Sequence, residues 1–104
     1  MIVLNNPETK VPIAIMDGTL ISTIRTGAVT GVCAKYMAPP RSKTVGLFGA
    51  GSQCKTQLMA LKASLPQLEK AYVYDLSRER TEKFAAEMSQ KLNMDVQAAS
   101  DPLA

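Results

Sequence analysis

Apolar and polar positions along the chain divide it into an extended opening, a long helix and a run of alternating strands and helices. Residues 2–4 and 11–16 are short apolar runs suited to β-strands. Between them Asn5-Asn6-Pro7-Glu8-Thr9-Lys10 is rich in turn formers, which predicts a β-hairpin. Pro12 falls near the start of the second strand, where a missing N–H is tolerated at an edge. A two-stranded hairpin is marginal alone, so this one is expected to belong to a larger sheet.

Asp17-Gly18-Thr19 predicts a helix start, with Asp17 or Thr19 as the capping side chain. The helix is expected to reach Met37 and to stop at Pro39-Pro40. At about 100° per residue, Leu20, Ile21, Ile24, Ala28 and Val32 share one arc and predict a core face. Ser22, Thr23, Thr26 and Thr30 take the opposite arc, which is polar but uncharged. Gly27 and Gly31 are spaced for close approach of another backbone, so both sides of the helix are expected to be covered.

A second unit begins after the linker 38–43. Residues 44–48 read as a buried strand, 49–52 as a tight turn, and 53–65 as a helix ended by Pro66. Residues 71–74 form the next strand, closed by Asp75. Ser77 caps a third helix whose Phe84, Ala85, Met88 and Leu92 fall at helical spacing, and 95–98 is a third strand. Connections this short require parallel pairing with right-handed crossovers. The expected class is therefore α/β, a partial Rossmann-like β-α-β-α-β sheet preceded by a hairpin and a long helix. The division falls at 1–40, the end of one domain, and 41–104, the first half of another. Asp101-Pro102-Leu103-Ala104 reads as the first turn of a helix that does not develop, so the chain is expected to be an internal piece of a longer protein or a truncated product.

Composition changes this picture little. The 104 residues are 46% hydrophobic and 20% charged, as in an ordinary soluble domain. The net charge of +3 is spread along the chain with no basic block interleaved with aromatics, which argues against nucleic acid. Residues 18–38 contain too many polar groups for a membrane span, and the N-terminus lacks the layout of a signal peptide. Cys33 and Cys54 form no CxxC pair and are expected as small buried residues in a reducing cytoplasm. His is absent and no ligand spacing suggests a metal.

The chemistry concentrates in Gly49-Ala-Gly-Ser-Gln-Cys54. Gly49 permits the strand-to-helix bend, and Gly51, lacking a Cβ, lets a pyrophosphate approach the N–H groups of the helix N-terminus. Cys54 stands where the dinucleotide fingerprint has its third glycine. Asp75, 24 residues after Gly51, is placed to accept hydrogen bonds from ribose hydroxyls, which favours NAD. Ser77, Arg78 and Arg80 just beyond it offer the alternative of cradling an NADP 2′-phosphate; their bland reading is a cap and solvated helix charges. Arg25 has no local carboxylate partner and lies on the apolar arc, so a guanidinium there is expected to need either a distant acidic residue or a ligand anion.

Met16-Asp-Gly-Thr-Leu-Ile-Ser-Thr-Ile-Arg-Thr-Gly-Ala-Val-Thr-Gly31, Ala34-Lys-Tyr36 and Ser42-Lys-Thr-Val-Gly-Leu-Phe-Gly-Ala-Gly-Ser-Gln53 together strongly resemble the ornithine cyclodeaminase/mu-crystallin family. The resemblance covers essentially the whole chain. It implies a homodimer whose subunits combine a substrate and dimerisation domain with a Rossmann domain, acting on small amino or imino acids. Cyclodeamination of L-ornithine to L-proline and ammonia is the leading activity it implies. Amino-acid dehydrogenase, ketimine reductase and a non-catalytic NAD(P)H-binding crystallin are the alternatives. By motif match Arg25 holds the substrate carboxylate, Thr26 lies near the pyrophosphate, Gly49, Gly51, Ser52 and Gln53 attend the phosphates, and Asp75 binds the ribose. The family's substrate-binding Lys and acid/base Asp fall outside this sequence, so no catalytic residue is assigned within it and the piece alone is expected to be inactive.

Overall fold

The structure, a computed structural model, describes residues 1–103. Its elements are β1 (Ile2–Asn5), β2 (Pro12–Met16), α1 (Thr19–Met37), β3 (Thr44–Phe48), α2 (Ser52–Ser64), β4 (Lys70–Tyr74), α3 (Arg78–Leu92) and β5 (Asp95–Ala98). Every expected element is present, with boundaries moved by one residue in several places. Residues 101–103 make a turn in which the Leu103 N–H donates to Asp101 Oδ1 at 2.7 Å; Ala104, the rest of that predicted helical turn, lies outside the described residues.

Strands β1 and β2 pair antiparallel, with Ile2 opposite Met16 and Leu4 opposite Ala14. The connecting turn is organised by Asn6, whose Oδ1 accepts the N–H groups of Glu8 and Thr9 at 2.8 and 3.0 Å. Among the described residues β1 and β2 make a two-stranded sheet of their own, with no further strand paired to them. Val3, Leu4, Ile13 and Ile15 stay exposed as a result.

The second sheet has the order β3-β4-β5, all parallel, with Thr44 beside Lys70 and Lys70 beside Asp95. One face carries the core. Leu47, Ala71, Val73 and Val96 point into it and meet Leu58 and Leu61 of α2 and Phe84, Ala85 and Met88 of α3. Leu58, Phe84 and Met88 are fully buried, each stabilising the fold by about 1.5–3 kcal/mol through removal of apolar surface from water. On the opposite face Phe48 and Tyr72 are exposed, the open apolar sheet surface expected of half a doubly wound fold.

Helix α1 corrects the sequence reading. Leu20, Ile21, Ile24 and Val32 are exposed, and the buried positions are Gly27 and Gly31. A Cβ on Gly27 would lie 2.7 Å from the Thr56 carbonyl carbon and oxygen, and one on Gly31 would lie 2.9 Å from the Ala60 oxygen. The helices therefore touch backbone to backbone, and the Thr56 hydroxyl donates to the Thr23 carbonyl at 3.1 Å. Small-residue contact, not apolar burial, selects the face. Gly27→Val is accordingly expected to destabilise the protein by about 2 kcal/mol, as overpacking does in well-filled interiors, read as a lower urea midpoint with an unchanged slope.

Other expectations on α1 are met in part. Its N-cap position is Gly18, which offers no side chain, while Asp17 takes up the free N–H of Thr19 at 2.7 Å as its placement before the helix predicts, a bond that holds its carboxyl below the usual range. Cys33 is exposed, since it lies off the glycine face, whereas Cys54 is buried as expected, and burial pushes its thiol pKa up.

Candidate functional site

The C-terminal ends of β3 and β4 meet at the glycine turn. Gly49 has φ +98°, a left-handed conformation that favours glycine, and its N–H donates to the Tyr74 carbonyl at 2.7 Å. Gly51 is different. Its φ of −91° and ψ of −179° suit any residue, and a Cβ there would meet no atom within 4 Å. Neither backbone nor packing requires glycine at that position. The space in front of it is open to a group from outside the chain.

Helix α2 starts directly behind that space. No side chain caps it, and its first turn carries no acidic residue. The first N–H groups of the helix, including those of Ser52 and Gln53, have no intrahelical acceptor and present the positive end of the helix dipole. Helix α3 is built the opposite way. The Ser77 Oγ accepts the Arg80 N–H at 3.4 Å, and Glu79 occupies its first turn. Of these two helix starts on the sheet's C-terminal edge, α2 is the one left open to an anion.

Asp75 links the two. Its Oδ1 accepts the Ser77 N–H at 3.0 Å and its Oδ2 accepts the Ala50 N–H at 2.8 Å, so the carboxylate ties the β4–α3 connection to the glycine turn. The side chain is 12% exposed, and the Arg80 guanidinium lies 3.7 Å away. The N–H groups of Ser77 and Ala50 hold the carboxyl below its ordinary value, burial opposes them, and Arg80 adds to them. A depressed folded pKa stabilises the protein above the unfolded value, about 3.9, and that contribution disappears as pH falls through the folded value. The stability difference between wild type and Asp75→Asn is therefore expected to be constant from pH 8 to about 4 and to shrink only below that. Urea unfolding across pH would show it, and a loss centred near neutrality would contradict it.

Two hollows flank this connection. One, of about 560 Å³, is lined by Phe48, Gly49, Tyr74, Asp75, Leu76, Ser77 and Arg80. The other, of about 220 Å³, lies between α3 and the end of β5 and is lined by Asp75, Leu76, Arg78, Thr81, Glu82 and residues 98–100 among others. Asp75 and Leu76 border both.

Of the residues expected to form the site, Gly49, Gly51, Ser52, Gln53 and Asp75 are brought together. Thr26 is half-buried at the flank of the α1–α2 contact, its hydroxyl donating to the Ser22 carbonyl at 2.8 Å. Because Gly27 meets Thr56 and Gly31 meets Ala60, the two helices run parallel with an offset of 29 residues, which sets Arg25 and Thr26 level with the first turn of α2. Arg25 itself is exposed, not buried, on the arc turned away from the glycines, and makes no ion pair among the described residues. Its exposure follows from the reversal of the buried face of α1. The ties from Asp75 to Ala50 and from Arg80 to Asp75 escaped sequence reasoning, since no local spacing signals them. The Arg78–Glu82 pair, 2.8 Å, is likewise absent from the sequence reading, although its four-residue separation on a helix is a signal for it.

The model of the ornithine cyclodeaminase/mu-crystallin family matches residues 1–103. Alanine dehydrogenase of Archaeoglobus fulgidus is 37% identical over 86 residues, 83% of this chain and 26% of that protein. The fold is similar to Thermococcus litoralis Δ1-pyrroline-2-carboxylate reductase solved with NADH and L-proline, with TM-score 0.87 and 45% identity over 93% of this chain and 30% of that one. It is also similar to a lysine cyclodeaminase solved to explain recognition of L-lysine, L-ornithine and L-2,4-diaminobutyric acid, with TM-score 0.86, 37% identity, and coverage of 93% and 28%. The chain thus spans under a third of the length of these relatives.

Proposed function

The chain belongs to the ornithine cyclodeaminase/mu-crystallin family, and we propose from that premise that it supplies the NAD(H)-binding half-site and the substrate carboxylate anchor of an enzyme acting at the α-carbon of a small amino or imino acid. The observation that carries the cofactor reading is the pairing of an uncapped α2 N-terminus with a fixed Asp75 carboxylate across an open Gly51. The residues present fit the cofactor. N–H groups at the start of α2 hold pyrophosphate, Asp75 accepts ribose hydroxyls, and the existing partners of its carboxylate orient it for that task. When bound, the nicotinamide accepts or donates hydride at the substrate α-carbon. Arg25 holds the carboxylate of that substrate, and its place on an otherwise apolar arc supports this role: covering that arc by protein requires an anion for the guanidinium. The same uncovered arc and the exposed hairpin support association with a second copy, and the boundary near residue 40 between a substrate unit and a Rossmann unit is part of the proposal.

Proline-forming chemistry is the reaction class we favour. Cyclodeamination of ornithine passes through a cyclic imine that is then reduced, so cyclodeaminase and imine reductase share that last step. Supplying the full-length protein with NAD and L-ornithine, and separately with NADH and Δ1-pyrroline-2-carboxylate, distinguishes them. Proline and ammonia from ornithine support the cyclodeaminase; NADH oxidation by the imine alone supports the reductase. The 45% identity to the T. litoralis reductase favours the second reading. NADH formation from alanine with neither of these reactions would overturn proline-forming chemistry while keeping the dehydrogenase.

A further inference from the structure

The wall of the smaller hollow carries more charge than holding a ribose requires. Its charged lining is Asp75, Glu82 and Arg78, while Arg80 lines the neighbouring larger hollow. Both arginines are engaged by carboxylates. Arg80 leans on Asp75 at 3.7 Å, and the Arg78 Nε donates to Glu82 Oε1 at 2.8 Å. Arg78 and Glu82 line the hollow together with Asp75. A 2′-phosphate entering this hollow from a ribose held by Asp75 would meet a lining with one excess negative charge, whose one guanidinium, that of Arg78, is engaged by Glu82.

We propose that Glu82 is a specificity-determining residue that selects against NADP(H) by engaging Arg78 and by repelling the 2′-phosphate. The proposal rests on the assignment of the glycine turn and Asp75 as a dinucleotide site. Glu82 would not touch NAD(H); it acts through Arg78 and through its own charge. Both partners are largely exposed, 89% for Arg78 and 56% for Glu82, so substitution leaves the core intact.

The test is calorimetric titration of the purified full-length protein with NADH and with NADPH. Glu82→Ala is expected to tighten NADPH by about tenfold, the effect of one charge-assisted hydrogen bond gained, with NADH changed less than about twofold. Arg78→Ala alone is expected to leave NADPH binding unchanged within about twofold, and Arg78→Ala added to Glu82→Ala is expected to abolish the gain. Raising salt to about 1 M should erase most of it, because the freed pair is exposed. NADH binding by Glu82→Ala with no gain for NADPH would overturn the role of Glu82 while leaving the dinucleotide site intact. A gain that survives removal of Arg78 would overturn the engagement half of the proposal. Absence of binding by either dinucleotide to the wild type would overturn the site itself.

Discussion

Gly51→Val is expected to fold as well as the wild type and to lose about 100-fold in NADH affinity. The two halves of that expectation come from different observations. A Cβ at Gly51 would contact no atom within 4 Å, and its φ of −91° is ordinary for any residue, so the native state gains no clash and no strain. The branched side chain instead occupies the space in front of the uncapped α2 N-terminus. A pyrophosphate held off those N–H groups loses hydrogen bonds to a charged partner, each contributing about 1.5–3 kcal/mol, and about 2.7 kcal/mol corresponds to 100-fold. Thermal unfolding within about 2 °C of wild type, together with calorimetric loss of NADH binding, is the outcome to look for. The same substitution at Gly27 should behave in reverse, because there the glycine is required by contact with Thr56 and not by a ligand. Wild-type NADH affinity in Gly51→Val would remove the glycine turn as the phosphate cradle.

This contrast also separates what sequence reasoning reached from what it missed. The β-α-β-α-β order was legible because buried parallel strands are short apolar runs and because Pro66, Asp75 and Ser77 mark element ends. The glycine fingerprint marks the turn, and the spacing of the later acidic residue marks Asp75, which the structure brings to that turn. Helix α1 was misread for a definite reason. An apolar arc weighs burial by hydrophobicity, but Gly27 and Gly31 bury a face by letting backbones touch, a contact with almost no hydrophobic signature. The glycine spacing announces a close approach; the apolar arc predicts burial of the opposite face as well, and the structure leaves that face open. The expected burial of Arg25 and Cys33 failed with it. The link between Asp75 and Ala50 was hidden for another reason: it joins residues 25 apart through a turn geometry that exists only once the strands are paired.

The α1–α2 contact has a consequence for function. Backbone contact at two glycines one helical turn apart allows little sliding, so the level of Arg25 is fixed against the start of α2. A substrate carboxylate held at Arg25 and a dinucleotide held at α2 would then be positioned by the same rigid pair of helices. Loosening that pair should weaken both together, whereas a change at Arg25 should affect the substrate alone.

In the full-length protein, Arg25→Lys is therefore expected to lower kcat/KM for the amino- or imino-acid substrate by about 100-fold, with NADH affinity within about twofold of wild type. Lysine keeps the positive charge, so any loss measures geometry. The guanidinium fork matches a carboxylate with two parallel N–H donors, and an ammonium offers a point charge that fixes neither the orientation of the carboxylate nor the α-carbon behind it. Losing one charge-assisted hydrogen bond and the alignment it provides costs about 1.5–3 kcal/mol in transition-state stabilisation. The split between constants is informative. A rise in KM alone would mean uniform binding of the carboxylate, and an equal fall in kcat and kcat/KM would mean that orientation toward the nicotinamide is what Arg25 provides. Arg25 is exposed and forms no ion pair among the described residues, so the substitution breaks no such pair there and stability should stay within about 0.5 kcal/mol. Retention of full kcat/KM in the lysine variant would sink the carboxylate-anchor role and leave Arg25 as a partner for an acidic residue elsewhere.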